Sequence, residues 1–84
     1  RMNRGYSLYR DRQKCNTCVI ILNRDNLETH HIRKLPIDEM NKVNNLASLC
    51  RECHNLVHSA IELNLVEKKS KKIMVYREKF LNSL

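Results

Sequence analysis

Four cysteines form two Cys-x-x-Cys pairs that lie far apart in the sequence, at Cys15 and Cys18 and at Cys50 and Cys53. Two such pairs are typical of a tetrahedral site in which four thiolates bind one Zn²⁺ ion. The spacing therefore predicts a structural zinc that joins the N-terminal turn at residues 15–18, the knuckle, to the segment that carries Cys50 and Cys53. Two alternatives stay open, namely a pair of disulfides or reduced cysteines without a metal. A redox-active Cys-x-x-Cys is disfavoured, because there are two pairs and no βαβ pattern around them.

All four histidines lie in the same part of the chain as the cysteines. His54 and His58 are four residues apart, which is the spacing of a metal-ligand pair on one face of a helix. His30 and His31 are neighbours, so on an extended segment their side chains point to opposite sides. One of the two could complete an open three-ligand metal site, and the other could serve as a general base. The alternative is that some of these histidines are ordinary polar residues.

The chain has 84 residues and a formal net charge of +7, which suits one small domain. The charge fits simple solubility, and it also fits attraction to the phosphates of a nucleic acid. No apolar run approaches the ~20 residues that a membrane span requires, and no signal peptide is recognisable. We therefore expect a cytoplasmic (intracellular) protein without a membrane partner. Because the sequence begins Arg1-Met2, we expect a domain excised from a larger protein.

Short elements must bring these side chains together. Residues 27–32 are predicted to form a strand that carries His30 and His31, and residues 46–49 form a second strand that pairs back on it through a long loop. An apolar arc predicts a helix from Cys50 to about Asn64. Before these elements, we predict a flexible lead-in at residues 1–6 and a helix over Leu8 to Gln13. Ser7 is predicted to cap this helix, and Leu8 and Tyr9 to face inward. After them, we predict a lysine-rich linker from Glu67 to Lys72 and a helix from Ile73 to Leu84.

Three sequence segments together resemble the HNH endonuclease family. They are Cys15-x-x-Cys18, then Glu28-Thr29-His30-His31-Ile32, then Asn45-Leu46-x-x-Leu49-Cys50-x-x-Cys53-His54 followed by His58. The resemblance implies an α+β fold, a small ββα-metal domain with a zinc knuckle and flanking N- and C-terminal helices. We expect residues 1–84 to form a single domain, with residues 12–60 as its core motif and residues 67–84 as a basic linker and C-terminal helix.

The resemblance also implies a role for each matching residue. His30, His54 and His58 correspond to the ligands of one catalytic divalent metal, either Mg²⁺, Mn²⁺ or Zn²⁺, and three imidazoles suit a transition metal better than Mg²⁺. His31 resembles the general base that deprotonates the attacking water. Asn45 resembles the asparagine that braces the hairpin loop and orients that base. The family implies hydrolysis of a nucleic-acid phosphodiester that leaves 5′-phosphate and 3′-hydroxyl ends.

DNA is the expected partner, and an RNA-linked target is also compatible with the sequence. Other domains of a larger parent protein are possible partners too. Such a parent could be an intron-encoded reverse transcriptase or a toxin. Arg33 and Lys34 directly follow His31 and could contact phosphate, while solvated loop charges are the alternative. A non-catalytic zinc-binding module that binds nucleic acid is the second function considered. The complete histidine set favours the nuclease, because a degenerate module would be expected to lose the base or a ligand.

Overall fold

This computed structural model describes residues 3–83 of the chain. They contain two antiparallel strands and four α-helices, joined by loops. In chain order the elements are α1 (Arg4–Arg10), β1 (Leu27–His31), α2 (Ile37–Met40), a 3-10 turn (Val43–Asn45), β2 (Leu46–Cys50), α3 (Arg51–Val57) and α4 (Lys68–Leu81). This arrangement confirms the predicted α+β fold class. Within the same residues, no helix is both long enough and apolar enough to cross a membrane.

The strands β1 and β2 form the predicted hairpin with its long loop. His30 lies opposite Ala47 in the pairing, and His31 lies opposite Leu46. Every residue of β2 is buried, because α1 packs against this strand and α3 packs against both strands. The sheet is therefore the scaffold that fixes where the two neighbouring histidines of β1 point.

The first helix begins earlier than predicted. Residues 4–6 belong to α1 and not to a flexible lead-in, and Ser7 lies buried inside the helix rather than at its N-cap. The hydroxyl of Ser7 donates to the carbonyl of Arg4 at 3.0 Å. Leu8 packs against the core as predicted, but Tyr9 is 85% exposed. The prediction of the start and facing was wrong because a small polar residue, which hydropathy does not mark as buried, occupies the packed face.

Arg10 and Asp11 join α1 to the sheet. Arg10 Nη2 donates to the carbonyl of Leu46 at 2.7 Å, and the carboxylate of Asp11 accepts the Ser48 N–H at 3.0 Å. The two side chains also pair with each other at 2.9 Å. Burial opposes ionisation of Asp11, but the hydrogen bonds from Arg10 and Ser48 outweigh it, so the pKa of Asp11 lies below its ordinary value. This charged pair holds the helix on β2.

The core is small, and cysteines make up a large part of it. One buried cluster lies between the N-terminal knuckle, the hairpin, α3 and α4, and its members are Cys15, Leu22, Leu49, Cys50, Cys53, Val57 and Ile73. A core of this size gives a domain only marginal stability by itself. Three of the four cysteines predicted to bind a metal therefore lie inside the core, and Cys18 packs against it. A cross-link at this place would stabilise the whole fold.

The third helix is shorter than predicted. The helix expected over residues 50–64 ends at Val57, and Ile61, which was assigned to the apolar arc, is exposed. Arg77 on α4 explains this end, because its guanidinium donates to the carbonyl of Leu56 at 3.0 and 2.8 Å and to that of Ile61 at 2.9 Å. A distant side chain thus satisfies carbonyls near the helix end, and no local glycine or proline is needed to stop it.

The fourth helix begins earlier than predicted. Residues 68–72, expected in a lysine-rich linker, form its first turns. Ser70 and Ile73 are buried, whereas Lys68 and Lys71 are exposed. The lysines therefore cover the solvent side of a helix whose other side packs on the core, which is why the linker prediction was wrong. Residues 1, 2 and 84 lie outside the described residues, and so do the predictions made for them.

We predict that Ile73→Ala lowers the free energy of unfolding by ~2–5 kcal/mol, because truncating a fully buried side chain leaves a cavity. Val75→Ala is the matched control on the same helix, since Val75 is 47% exposed and should cost well under half as much. Chemical denaturation of both variants measures the difference. Equal and small losses would mean that α4 does not pack on the core.

Candidate active site and metal centres

The four cysteines come together in one cluster. Their Sγ atoms all lie within 4.8 Å of one another, and none of the four forms a disulfide. The Sγ atoms of Cys18 and Cys50 are 3.7 Å apart. Four thiol groups this close together could bind a structural metal such as zinc.

Backbone N–H groups point at these sulfurs. The N–H of Cys50 donates to Cys15 Sγ at 3.3 Å, and the N–H of Cys53 donates to Cys50 Sγ at 3.4 Å. A hydrogen bond of 2.9 Å from the Val19 N–H to the Cys15 carbonyl closes the turn of the first pair. Val19 has a φ of 60°, a left-handed conformation that is strained for a β-branched residue. The turn that holds Cys15 and Cys18 therefore ends at a residue, Val19, whose backbone is strained.

The hydrogen bonds around the cluster favour thiolate at one position in particular. Burial opposes ionisation of Cys15, but hydrogen bonds from the Cys18 backbone, from Thr17 and from the Cys50 backbone lower its pKa to about 6. Burial raises the pKa of Cys18 and of Cys53. Several uncompensated thiolates in so small a space would be unfavourable. A divalent cation reverses that preference, because coordinated thiols are deprotonated.

Three histidines form a second cluster. The ring centroids of His30 and His54 are 5.2 Å apart, those of His30 and His58 are 5.0 Å apart, and those of His54 and His58 are 4.8 Å apart. His30 is fully buried, and within residues 3–83 neither of its ring nitrogens has a hydrogen-bond partner. Unpartnered polar atoms in an interior are unfavourable. Each ring offers a nitrogen within 4.8 Å of the others, so the set fits a metal ion as the missing partner.

The surroundings favour the neutral form of two rings in this cluster. Burial, together with repulsion from His54, His58 and His31, lowers the pKa of His30 to about 3. Burial and repulsion from His54 likewise lower the pKa of His58. Near neutral pH both rings are therefore neutral, which is the form of imidazole that binds a metal.

Glu28 contacts the ring of His54, a role that was not assigned to it from the sequence. The Nδ1 atom of His54 is 3.3 Å from Oε1 of Glu28. A carboxylate that accepts Nδ1–H leaves Nε2 free for a metal and orients the ring. A signal for Glu28 was present, because it precedes His30 by two residues and so lies on the same side of the strand.

The C-terminal helix supplies an aromatic wall to the histidine cluster. The ring centroid of Phe80 is 4.9 Å from that of His58 and 6.1 Å from that of His30. The ring of Tyr76 lies 5.7 Å from His30. Apolar rings exclude water from this side of the cluster and strengthen electrostatic interactions inside it. The helix α4 therefore contributes to the site, a role that sequence reasoning did not give it.

His31 does not join the three-histidine cluster but borders the same space. It lies on a cavity of about 300 Å³ that is lined by Thr29, His31, Lys34, Met40, His54, His58 and Phe80. Nε2 of His31 is 2.8 Å from Oδ1 of Asn41. Asn41 was not singled out from the sequence, because one asparagine in a polar loop carries no distinguishing signal.

Asn45 is buried and bonded to the backbone of the loop between the strands. Its Oδ1 accepts the Arg33 N–H at 2.9 Å, and its Nδ2 donates to the carbonyls of Arg33 at 3.1 Å and of Met40 at 3.0 Å. The side chain of Asn45 thus ties two distant points of the loop together. The side chain that contacts His31 is that of Asn41 and not that of Asn45.

The two basic residues after His31 lie in different surroundings. Lys34 borders the cavity, whereas Arg33 does not line it, and both side chains are exposed. The N–H of Lys34 donates to Ser83 Oγ at 2.7 Å. Ser83, which follows the end of α4, therefore holds the backbone of the loop beside the cavity.

A comparison with known families gives a match at residues 13–60 to the family described as HNH endonuclease. The match covers more than half of the chain and includes both cysteine pairs and all four histidines. This chain belongs to the HNH endonuclease family. A search of curated proteins gave no match, and a search of solved structures gave none either. Membership of the HNH family suggests a nuclease-type function on nucleic acid.

We predict that the purified protein retains about one equivalent of zinc after dialysis, as expected for a closed four-coordinate site. Cys50→Ser should lose this zinc and unfold, because metal binding of this kind is coupled to folding. His54→Ala is the matched control and should keep both the zinc and the fold. Elemental analysis and circular dichroism measure these properties, and a metal-free protein that stays folded would contradict the prediction.

Proposed function

We propose that this chain is a metal-dependent HNH endonuclease domain that hydrolyses phosphodiester bonds of DNA. The observation that carries the proposal is the contrast between two neighbouring residues of β1. His30 turns a buried ring with two unpartnered nitrogens toward His54 and His58, while His31 borders an open cavity. One strand could thus present a metal ligand on one side and a general base on the other.

In this proposal, His30, His54 and His58 hold one divalent ion, and the four cysteines hold a separate structural zinc. Three neutral imidazoles favour a transition metal such as Mn²⁺ or Zn²⁺ over Mg²⁺. When bound, the ion supplies Lewis-acid stabilisation of the negative charge that develops on the phosphate and the departing 3′ oxygen. Glu28 keeps the ring of His54 oriented for this role.

His31 is the general base of the proposed reaction. Its ring borders the cavity and lies outside the three-histidine cluster, so it can accept a proton from a water molecule that attacks phosphorus. The products are a 5′-phosphate and a 3′-hydroxyl. Asn45 contributes by fixing the loop that follows His31.

The charge distribution supports a nucleic-acid partner. The formal net charge is +7, Lys34 borders the cavity, and the exposed lysines of α4 would attract a phosphate backbone. Arg33 is the second proposed phosphate contact. Contacts of this kind do not distinguish bases, so the proposed domain cuts with low intrinsic specificity. Other domains of a larger parent, such as an intron-encoded reverse transcriptase or a toxin, would select the target.

We predict that His31→Ala lowers the cleavage rate ~10²–10⁴-fold, which is the usual contribution of a general base, while metal and DNA binding stay unchanged. Plasmid cleavage with added Mn²⁺ gives the rate, and fluorescence anisotropy with labelled DNA gives the affinity. Wild-type protein that binds DNA but does not cut it with any divalent metal would favour the non-catalytic zinc-binding module.

We predict that His54→Ala and His58→Ala each weaken binding of the second metal ion at least ~10-fold, because each removes a ligand, and that both lose cleavage. Asn55→Ala is the matched control on the exposed side of α3 and should change neither property. Calorimetric titration of the zinc-loaded protein with Mn²⁺ measures the affinity. If a variant binds Mn²⁺ as tightly as the wild type, that histidine is not a ligand.

A further inference from the structure

The side chain of Asn41 makes a hydrogen bond with the ring of His31, at 2.8 Å between Oδ1 and Nε2. An amide oxygen can only accept, so this contact requires the proton of the neutral ring to be on Nε2. The lone pair of the ring then lies on Nδ1. Within residues 3–83, no hydrogen bond to Nδ1 of His31 is present, so this nitrogen is available for water.

The backbone around Asn41 is fixed from two sides. The carbonyl of Met40 accepts a hydrogen bond from Nδ2 of the buried Asn45 at 3.0 Å. The carbonyl of Asn41 itself accepts one from Nδ2 of Asn3 at 2.9 Å, at the start of α1. Since both neighbouring peptide groups are held, the fold fixes the backbone position from which the Asn41 side chain reaches His31. The loop brace at Asn45 therefore reaches His31 through Asn41.

We propose that Asn41 is a positioning residue that fixes the tautomer and the orientation of the His31 ring. Nδ1 of His31 is then the atom that accepts the proton from water. This inference rests on the proposed nuclease function. In the reaction, the O–H bond of the attacking water breaks, and its proton goes to Nδ1. The water oxygen forms a bond to phosphorus as the bond from phosphorus to the 3′ oxygen breaks, and that oxygen takes a proton from solvent. The imidazolium keeps donating Nε2–H to Asn41, which stabilises its charge.

The kinetic test uses variants of one loop. Asn41→Ala should lower kcat for plasmid cleavage with Mn²⁺ by ~10–100-fold, the usual effect of losing a partner that orients a functional histidine, with KM and Mn²⁺ affinity unchanged. Asn41→Asp keeps an acceptor and should restore most of kcat. Asn44→Ala is the control, because Asn44 is an exposed neighbour in the same loop. A normal kcat in Asn41→Ala, or no rescue by Asp, would overturn the proposal.

A spectroscopic test does not depend on activity. In protein labelled with ¹⁵N-histidine and kept at alkaline pH, the His31 ring should show a protonated Nε2 and an unprotonated Nδ1. His31→Gln assigns the signals, and Asn41→Ala should give a mixture of tautomers. If the tautomer is as proposed but no DNA is cut, the nuclease function fails and the positioning role of Asn41 stands. If the proton is on Nδ1, or the tautomer is the same in both proteins, the positioning role fails.

Discussion

Four cysteine sulfurs come together at a small apolar core, and this constraint joins the N-terminal knuckle to the hairpin and to α3. Cys50 and Cys53 lie at the corner where β2 ends and α3 begins, and His54 follows directly. A cation at the cysteines would therefore fix the first turn of α3, and with it the direction of His54 and His58. Without a cation, burial disfavours a second thiolate in this space. The cysteine cluster thus lies where it can position the histidine cluster.

The histidine cluster uses parts of the chain that the family match does not include. The match ends at residue 60, yet Tyr76 and Phe80 lie against the histidine rings and Ser83 holds the loop beside the cavity. Arg77 on the same helix satisfies the carbonyls at the end of α3. The helix α4 therefore covers one side of the histidine cluster and stops α3, the helix that carries His54 and ends just before His58. The packing around the histidine cluster therefore extends beyond the family motif.

The sequence predicted the features that local periodicity or ligand spacing determines. The alternation of β1 separates His30 from His31, and the spacing of the cysteines predicts their cluster; the structure agrees with both. Two of the errors lie where a distant residue decides. The end of α3 depends on Arg77, and the hydrogen bond at His31 depends on a loop residue ten positions away, Asn41. Such contacts leave no trace in a propensity pattern, because they form only after the hairpin and α4 are in place.

We propose that this fold binds two separate metal ions, one on the cysteines and one on the three histidines, with His31 outside both clusters. Anomalous diffraction from a crystal grown with Mn²⁺, measured at the zinc and manganese absorption edges, tests it most directly. We expect a zinc peak among the four sulfurs and a manganese peak bound by His30, His54 and His58. A structure without an ion at the histidines under saturating Mn²⁺, or with His31 as a ligand in place of His30, would contradict it.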